Sequence, residues 1–306
     1  MNGILLVDKP AGMTSHDVVA IARRGLRTRG IGHAGTLDPM ATGLLVLAVG
    51  EGRKLLRYLS LDDKHYVATL RLGEETDSLD ADGEVVERAA VPDGLDEDRI
   101  EEALARFVGE IAQRAPVVSA IKRDGVPLHA RARRGERVVP PVRQVVAHEL
   151  RVLGVRSAPP EVELEVRCGK GFYVRSLGRD LARALGTVGH LSALRRTASG
   201  HFDVSSAVPI ELLRRAGADE EARTQVGAWM VSVRAALPDA PARVLDEEGV
   251  AHARAGRAIP LDRMIGDEPV LPAHAEPVIL LDAAAVPIAL ARLDGEVLRV
   301  VRGFNL

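Results

Sequence analysis

The sequence is short of aromatic residues and contains one cysteine. Phenylalanine, tyrosine and tryptophan make up 3% of its 306 residues, whereas 46% are hydrophobic, so the core must be built mainly from valine, leucine, isoleucine and alanine. The lone Cys168 excludes an internal disulfide framework and is typical of a protein from a reducing compartment. The hydrophobic content, set against 27% charged residues, excludes a disordered chain.

Long apolar segments are absent as well. No stretch approaches the roughly 18 uninterrupted apolar residues of a membrane-spanning helix. The short apolar run at the N-terminus has no positively charged segment before it and is broken by Asp8 and Lys9, so a signal peptide is not predicted. We expect a soluble, cytoplasmic protein that does not engage a membrane.

The net charge of −2 conceals an uneven distribution of charge along the chain. Thirteen acidic residues lie between positions 74 and 102, where only Arg88 and Arg99 are basic. Eight basic residues lie between positions 114 and 143 against Asp124 and Glu136, and a second basic cluster contains no acid: Arg23, Arg24, Arg27 and Arg29. Random charge blocks on a solvated surface are the simpler explanation, but segregated basic segments favour a nucleic-acid partner.

Hydrophobic patterning predicts interspersed strands and helices. Strands are predicted at residues 4–7, 43–49, 65–72 and 161–167. Helices are predicted from Ser15, as N-cap, to about residue 24, from Asp96 to Gly109, and over residues 174–185 with Gly186 closing the last turn. Because the elements show no regular βαβ rhythm, the pattern indicates an α+β fold with a mixed sheet.

A proline-rich segment divides the chain into two predicted domains. Residues 237–241 have the sequence Leu-Pro-Asp-Ala-Pro and follow the last long helical stretch. Beyond them, short apolar runs at 278–281 and 286–290 and the turn signal Asp294-Gly295 indicate a small β-rich module. We therefore predict one domain over residues 1–238 and a second over residues 244–306.

The most unusual segment is the glycine-rich loop over residues 32–43. It holds three glycines and one proline around His33 and Asp38, just before a predicted buried strand. Flexible backbone allows a close approach to a ligand, so Asp38 is a candidate nucleophile, general base or metal ligand. An aspartate before a proline is also common in plain turns, and the local pattern alone favours that capping role.

Several kinds of site are excluded by the residues around this loop. His33 has no second histidine or cysteine nearby to complete a metal site, and no metal is expected. The chain contains no GxSxG elbow of a serine hydrolase and neither of the common glycine-rich phosphate loops. A glycosidase needs a second catalytic carboxylate paired with the first, and the sequence shows none.

The loop nevertheless resembles the catalytic motif of TruB-type pseudouridine synthases. Four further groups of residues resemble motifs of this family and follow in family order between positions 3 and 200. They are residues 3–12 (Gly-Ile-Leu-Leu-Val-Asp-Lys-Pro-Ala-Gly); Lys64-His65-Tyr66 with Arg71-Leu72-Gly73, Thr76-Asp77 and Asp80-Ala81-Asp82-Gly83; Pro116 and Ser119-Ala120-Ile121-Lys122 with Gly125, Ala132-Arg133 and Gly135; and residues 169–176 (Gly-Lys-Gly-Phe-Tyr-Val-Arg-Ser) with Leu194-Arg195-Arg196.

The resemblance implies a fold and an activity. The fold is a largely antiparallel mixed central sheet flanked by helices, the pseudouridine synthase fold, followed by a small PUA-like RNA-binding domain. The activity is the isomerisation of uridine 55 in the T-loop of tRNA to pseudouridine. Such an enzyme needs no cofactor, metal or guide RNA, and we expect it to act on the T-arm of tRNA as a monomer.

The resemblance also implies three catalytic residues. Asp38 is the expected nucleophile, and Arg175 is expected to hold its carboxylate ionised through a bidentate contact. Tyr66 is expected to stack on the extruded uracil and to take part in proton transfer. The alternative for Arg175 is a surface helix arginine, and for Tyr66 the pattern alone favours a tyrosine of the strand core.

Further residues are expected to bind the RNA. Leu194 is expected to line the base pocket and Tyr173 to pack beside Asp38, although core packing explains both equally well. His33 is expected to fill the stack that the flipped uridine leaves, with a structural histidine as the alternative. Asp80 and Lys9 are expected to support substrate binding, and for Asp80 the alternatives are to hold the active-site loops or to cap a turn. Residues about 117–143 form the predicted RNA-binding loop, of which about 122–140 are expected to be mobile without RNA. Its predicted phosphate contacts are Lys122, Arg123, Arg131, Arg133 and Arg134.

Two other functions remain open from the sequence. A guide-RNA-dependent pseudouridine synthase shares the aspartate loop but works with accessory subunits, whereas this chain has a compact, stand-alone arrangement. An RNA chaperone that folds tRNA without chemistry has no need of Asp38, Tyr66 and Arg175 together. Pseudouridine formation without a guide RNA distinguishes the three.

Overall fold

The computed structural model describes residues 1–119, 139–266 and 269–306, and between the first two ranges only the backbone of two short strands, Lys122–Arg123 and Val126–Pro127. The predicted mobility of residues about 122–140 lies outside the described residues. The side chains of the predicted phosphate contacts also lie outside the described residues: Lys122, Arg123, Arg131, Arg133 and Arg134.

The strands, numbered in chain order, are β1 (Gly3–Lys9), β2 (Ile31–His33), β3 (Thr42–Val49), β4 (Lys64–Leu72), β5 (Glu74–Thr76), β6 (Val85–Arg88), β7 (Gly109–Arg114), β8 (Lys122–Arg123), β9 (Val126–Pro127), β10 (Val142–Ser157), β11 (Pro160–Cys168), β12 (Gly189–Ser199), β13 (Phe202–Asp203), β14 (Val208–Pro209), β15 (Ala242–Leu245), β16 (Ile259–Pro260), β17 (Met264–Ile265), β18 (Val278–Leu281), β19 (Pro287–Asp294) and β20 (Val297–Gly303).

The α-helices are α1 (Ser15–Gly25), α2 (Leu56–Leu59), α3 (Glu97–Ala105), α4 (Val174–Ala184), α5 (Ile210–Arg215), α6 (Glu220–Ala228) and α7 (Glu247–Arg254), and short 3₁₀ helices occupy Gly50–Leu55, Val204–Ser206 and Leu261–Arg263. None of the helices in the described ranges has the length and apolar character needed to cross a membrane.

The central sheet has the strand order β14-β1-β3-β12-β4-β11-β10-β7, with β2 beside β3 and β13 beside β12. The pairs β1–β14 and β3–β12 are parallel, and the other pairs of this sheet are antiparallel. This confirms the predicted α+β fold with a mixed, largely antiparallel sheet. Strand β12 lies in the middle, so its side chains reach the interior of the molecule.

One face of the central sheet packs against helices, and the other packs against the C-terminal part of the chain. Helices α1, α4 and α5 cover the first face with residues such as Val18, Leu177 and Leu213. On the second face Ile4 shares a buried cluster with Ile279 and Leu290 of the six-stranded sheet β16-β20-β19-β18-β15-β17 and with Phe304, which follows β20. The predicted β-rich C-terminal module is present. The predicted domain boundary at residues 238–244 remains a prediction, because the buried cluster contains residues from both sides of that boundary.

Two predicted helix ends were wrong. Thr14, not Ser15, is the N-cap of α1: its hydroxyl accepts from the backbone N–H of Asp17, whose carboxylate accepts in return from the N–H of Thr14. Helix α3 ends at Ala105, because the chain continues in a 3₁₀-type turn. There the N–H groups of Phe107 and Val108 donate to the carbonyls three residues earlier. Gly109, with φ of +92°, then begins β7.

Candidate active site

A pocket of about 260 Å³ opens where β4, β12 and two loops meet. Its lining comes from the loop after β2 (residues 35–38), from β4, from the loop between β11 and α4, and from β12. These segments are distant in the sequence, and the central position of β12 brings them together. The predicted residues that line the pocket are Asp38, Tyr66, Tyr173, Arg175 and Leu194.

Arg175, near the start of α4, joins two carboxylates. Its side chain is 3% exposed. Nη2 donates to Oδ1 of Asp38 at 2.8 Å, and Nη1 lies 3.2 Å from Oδ2 of Asp80. The predicted bidentate contact with Asp38 was therefore wrong, because the second nitrogen faces Asp80. The backbone carbonyls of Ser78 and Val118 accept further bonds from the guanidinium at 2.7 and 3.0 Å.

The two carboxylates differ in their access to the pocket. The Asp38 side chain is 31% exposed, whereas that of Asp80 is 3% exposed and does not line the pocket. Asp80 also accepts from the Ser78 hydroxyl at 2.5 Å and from the N–H of Asp82 at 3.1 Å. Asp80 is therefore placed to hold Arg175, and its predicted support of substrate binding remains a prediction.

Burial raises the pKa of the Asp38 carboxyl above its ordinary value of 3.8, and the charge of Asp80 raises it further. Arg175 opposes both effects, through its charge and its hydrogen bond. Asp38 thus combines a partly desolvated carboxylate with one hydrogen-bonded cationic partner, Arg175. Such a group is more reactive toward an electrophile than one fully hydrated in water.

The backbone on either side of Asp38 is held by two N-terminal residues. The buried Ser15 hydroxyl accepts from the N–H of Leu37 at 2.8 Å and lies 3.1 Å from its carbonyl. The ammonium of Lys9 is fully buried and donates to the carbonyls of Pro39, Met13 and Pro10, at 3.2, 2.7 and 2.9 Å.

Lys9 does not line the pocket, and its predicted role in substrate binding remains a prediction. Its three hydrogens are committed to backbone carbonyls, so none is left to donate to a ligand. Burial lowers the pKa of Lys9 to about 8, with the charge of Asp38 opposing the shift. Lys9 and Ser15 therefore fix the loop that carries Asp38.

We expect Ser15→Ala to reduce activity beyond its effect on stability. Loss of the hydroxyl leaves the Leu37 N–H without its partner, which costs about 1–3 kcal/mol of unfolding free energy, and displacement of Asp38 lowers the single-turnover rate by about tenfold. Ser176→Ala is the control, because this buried serine donates to the carbonyl of Arg114 at 2.8 Å and does not contact the loop. Equal rate losses in the two variants, with equal losses of stability, would contradict this role.

Tyr66, Leu194 and Tyr173 also belong to the pocket wall. Tyr66 on β4 is paired across the sheet with Arg196 of β12, and Leu194 with Ala68. Burial raises the pKa of the Tyr66 phenol, which keeps it protonated at neutral pH. The Gln113 side chain holds the backbone of Tyr173 from both sides, accepting from its N–H at 2.8 Å and donating to its carbonyl at 3.1 Å.

His33 lies on β2, beside the loop but outside the pocket lining. The ring is partly exposed, and burial lowers its pKa, so the neutral imidazole predominates at physiological pH. A neutral ring can stack against bases. Its predicted role in the vacated stack remains a prediction.

Several pocket residues were not given a role by the sequence. Arg196, Lys64 and Cys168 line the cavity, and Arg196 and Lys64 stand in the motifs that carry the family resemblance. Burial raises the pKa of the Cys168 thiol to about 12, so this cysteine is protonated and unreactive. Within the described residues, no group of three or more histidine, cysteine, aspartate or glutamate side chains is arranged to hold a metal.

Comparison with known families identifies the class of protein. Residues 23–174 match the family model described as TruB family pseudouridylate synthase, N terminal domain, and residues 175–238 match the tRNA pseudouridylate synthase B C-terminal domain. The chain therefore belongs to the TruB family of pseudouridine synthases. The resemblance drawn from the sequence motifs is confirmed.

Individual relatives agree with this assignment. The chain is 49% identical over 221 residues to tRNA pseudouridine synthase B of Leifsonia xyli, covering 71% of this chain and 73% of the relative. It is 40% identical over 309 residues to the protein of that name from Ralstonia pickettii, covering 100% of this chain and 95% of the relative. A solved archaeal box H/ACA sRNP Nop10–Cbf5 complex contains a chain with the same fold, with a TM-score of 0.73 and 22% identity over 99% of this chain and 86% of that one.

Proposed function

We propose that this protein is the tRNA pseudouridine-55 synthase of its cell, an isomerase that works in the cytoplasm as a monomer and without a guide RNA. One observation carries the proposal. In a chain of the TruB family, a partly exposed aspartate held by a buried arginine faces a pocket walled by Tyr66, Tyr173 and Leu194. The curated relatives named above bear the name tRNA pseudouridine synthase B.

The chemistry fits the groups that are present. The bond between ribose C1′ and uracil N1 breaks, C1′ bonds to C5 of the turned base, C5 loses its proton, and N1 gains one. Atoms and electrons balance within the substrate, so the reaction consumes no oxidant, reductant or energy source. Asp38 is the nucleophile that attacks the uridine, and Arg175 keeps its carboxylate charged and oriented.

The substrate is proposed to be the T-arm of tRNA. A uridine inside a folded loop must be flipped out, at a cost of a few kcal/mol, before it reaches a pocket bounded by Tyr66 and Leu194. His33 fills the vacated stack, and the basic loop over residues 117–143 contacts RNA phosphates. These contacts depend on shape and charge, and stacking of the flipped base adds to them.

The test is tritium release from tRNA. The purified protein alone is incubated with an unmodified tRNA transcript carrying tritium at uridine C5, and with a transcript whose T-arm uridine is replaced by cytidine. Release from the first and not from the second supports the proposal. Tight binding without release points to an RNA chaperone, and release only after addition of a guide RNA points to a guided synthase.

We expect the single-turnover rate to fall at acid pH, with a midpoint above 3.8. Only ionised Asp38 is nucleophilic, and its pKa is raised in the folded protein, so the protonated, inactive form appears at higher pH than for a free aspartate. Since a raised carboxyl pKa favours protonation in the folded state, the contribution of Asp38 to stability decreases as pH rises through the same window. The tRNA dissociation constant and the melting temperature are measured at each pH. A midpoint at or below 3.8 in folded, tRNA-saturated enzyme would contradict the expectation.

A further inference from the structure

A second buried arginine lines the pocket. Arg196 on β12 is 1% exposed; its Nε donates to the carbonyl of Leu44 at 2.7 Å and Nη2 to the carbonyl of Gly35 at 3.2 Å. It also lies opposite Tyr66 in the sheet, and its charge opposes the rise that burial causes in the pKa of the Tyr66 phenol. The guanidinium thus joins the loop of Asp38 to the tyrosine wall.

The charge of Arg196 is not neutralised by an ion pair within the described residues. Arg175 lies between two carboxylates, whereas the bonds that Arg196 donates to Leu44 and Gly35 go to neutral carbonyls. The neighbouring Lys64 is 7% exposed and likewise donates to backbone carbonyls, those of Ser60 and Asp62. Arg196 therefore brings to the wall around Tyr66 a positive charge that has no ion-pair partner among the described residues, whereas Lys64 lies near the carboxylates of Asp62 and Asp63.

Any hydrogen bond between the Arg196 guanidinium and the Tyr66 hydroxyl has only one possible direction. A guanidinium has only donors, so the Tyr66 oxygen must accept. The hydroxyl hydrogen then points away from Arg196 and is free for a donor bond elsewhere. A chain of hydrogen bonds that begins at a cation strengthens the last donor.

We propose that Arg196 is a positioning residue that acts through Tyr66: it orients and polarises the hydroxyl so that it donates to a uracil carbonyl as the glycosidic bond breaks. This inference rests on the proposed function. When the C1′–N1 bond breaks, its electron pair stays with the base, and the negative charge spreads over N1 and the carbonyl oxygens. The hydrogen remains on Tyr66, and donor and cation stabilise the anion in the manner of an oxyanion hole.

The test is a double-mutant cycle on the single-turnover rate at saturating enzyme. We expect Tyr66→Phe and Arg196→Met each to slow the reaction on the order of 10- to 100-fold. The double variant should be no more than about twofold slower than the slower single one, because both changes break the same chain. Arg196→Lys, which keeps the charge, should restore part of the rate when Tyr66 is present and none when it is combined with Tyr66→Phe.

Arg195→Met is the matched control. This neighbour on β12 is 42% exposed and pairs with Asp8 at 2.8 Å, outside the pocket lining, so the rate should stay close to that of the wild type. Should Arg196→Met fail to melt cooperatively, the cycle is run with Arg196→Lys instead.

Multiplicative losses in the double variant would overturn the inference, because a purely structural role of Arg196 slows both backgrounds equally. The proposed function is judged separately by the wild-type protein. If the wild-type protein forms no pseudouridine, both the proposed function and the role of Arg196 are overturned. If the wild type is active and the rate losses of the two single variants multiply in the double variant, only the role of Arg196 is overturned.

Discussion

Asp38→Asn should lower the single-turnover rate of pseudouridine formation by at least about 10⁴-fold, the scale on which loss of a nucleophile acts. Asparagine has the same shape but no negative charge with which to attack the uridine. Arg175 keeps its second partner, Asp80, at 3.2 Å, so the pocket should remain folded. The dissociation constant for tRNA should stay close to that of the wild type.

The stability of the same variant gives a second, independent result. Burial raises the pKa of Asp38, so its ionised form at neutral pH costs free energy in the folded state. Asp38→Asn should therefore melt at the same temperature as the wild type or higher, as expected when an active site retains an unfavourable charge. Asp294→Asn is the control, because that carboxylate pairs with Arg299 on the surface at 2.6 Å and should affect neither rate nor tRNA binding. Substantial activity in Asp38→Asn would contradict its role as nucleophile.

Arg175→Met should have the second-largest effect. The substitution leaves two carboxylates facing each other without a cation, and removing one partner from a buried ion pair costs about 3–5 kcal/mol of unfolding free energy. The rate should fall by about 10²- to 10³-fold even where the protein is folded, since the carboxylate of Asp38 loses its orienting bond. The pKa of Asp38 should rise further, so the acid limb of the pH–rate profile should move to higher pH.

Arg183→Met tests whether any arginine of α4 has this effect. Arg183 pairs with Glu75 at 3.0 Å, but its side chain is 54% exposed, and exposed ion pairs contribute about 0–1 kcal/mol. Rate and pH profile should be unchanged. A normal acid limb in Arg175→Met, measured below its melting temperature, would show that Arg175 does not control the ionisation of Asp38.

The sequence predicted the parts of the fold and site that follow from local pattern or from motif. The strand predicted over residues 161–167 lies within β11, where Val162, Leu164 and Val166 are buried. The helix predicted over residues 174–185 corresponds to α4, where Leu177 and Leu181 are buried. The motifs brought Asp38 and Arg175 together although 137 positions separate them. The geometry of their contact was missed, because a motif does not show that a second carboxylate shares the guanidinium.

Other features depend on contacts that no local pattern reveals. Serine is a residue type that often caps helices, yet the Ser15 hydroxyl accepts a hydrogen bond from the backbone N–H of Leu37, 22 positions away. Strand β12 was not predicted, because Arg195 and Arg196 interrupt its apolar pattern, and a fully buried arginine runs against ordinary burial preferences. Only the pairing of β12 with β4 shows that Arg196 lies beside Tyr66. The shared core of the two sheets likewise appears only in the folded chain.

Mapping the modified nucleotide tests the central claim most directly. A full-length tRNA transcript is incubated with the purified protein alone, and pseudouridine is located by chemical derivatisation and primer extension, with the Asp38→Asn protein as the blank. We expect one new pseudouridine, at uridine 55 in the T-loop, with wild-type protein and none with the variant. Pseudouridine at a different position, or the same product from both proteins, would contradict the assignment.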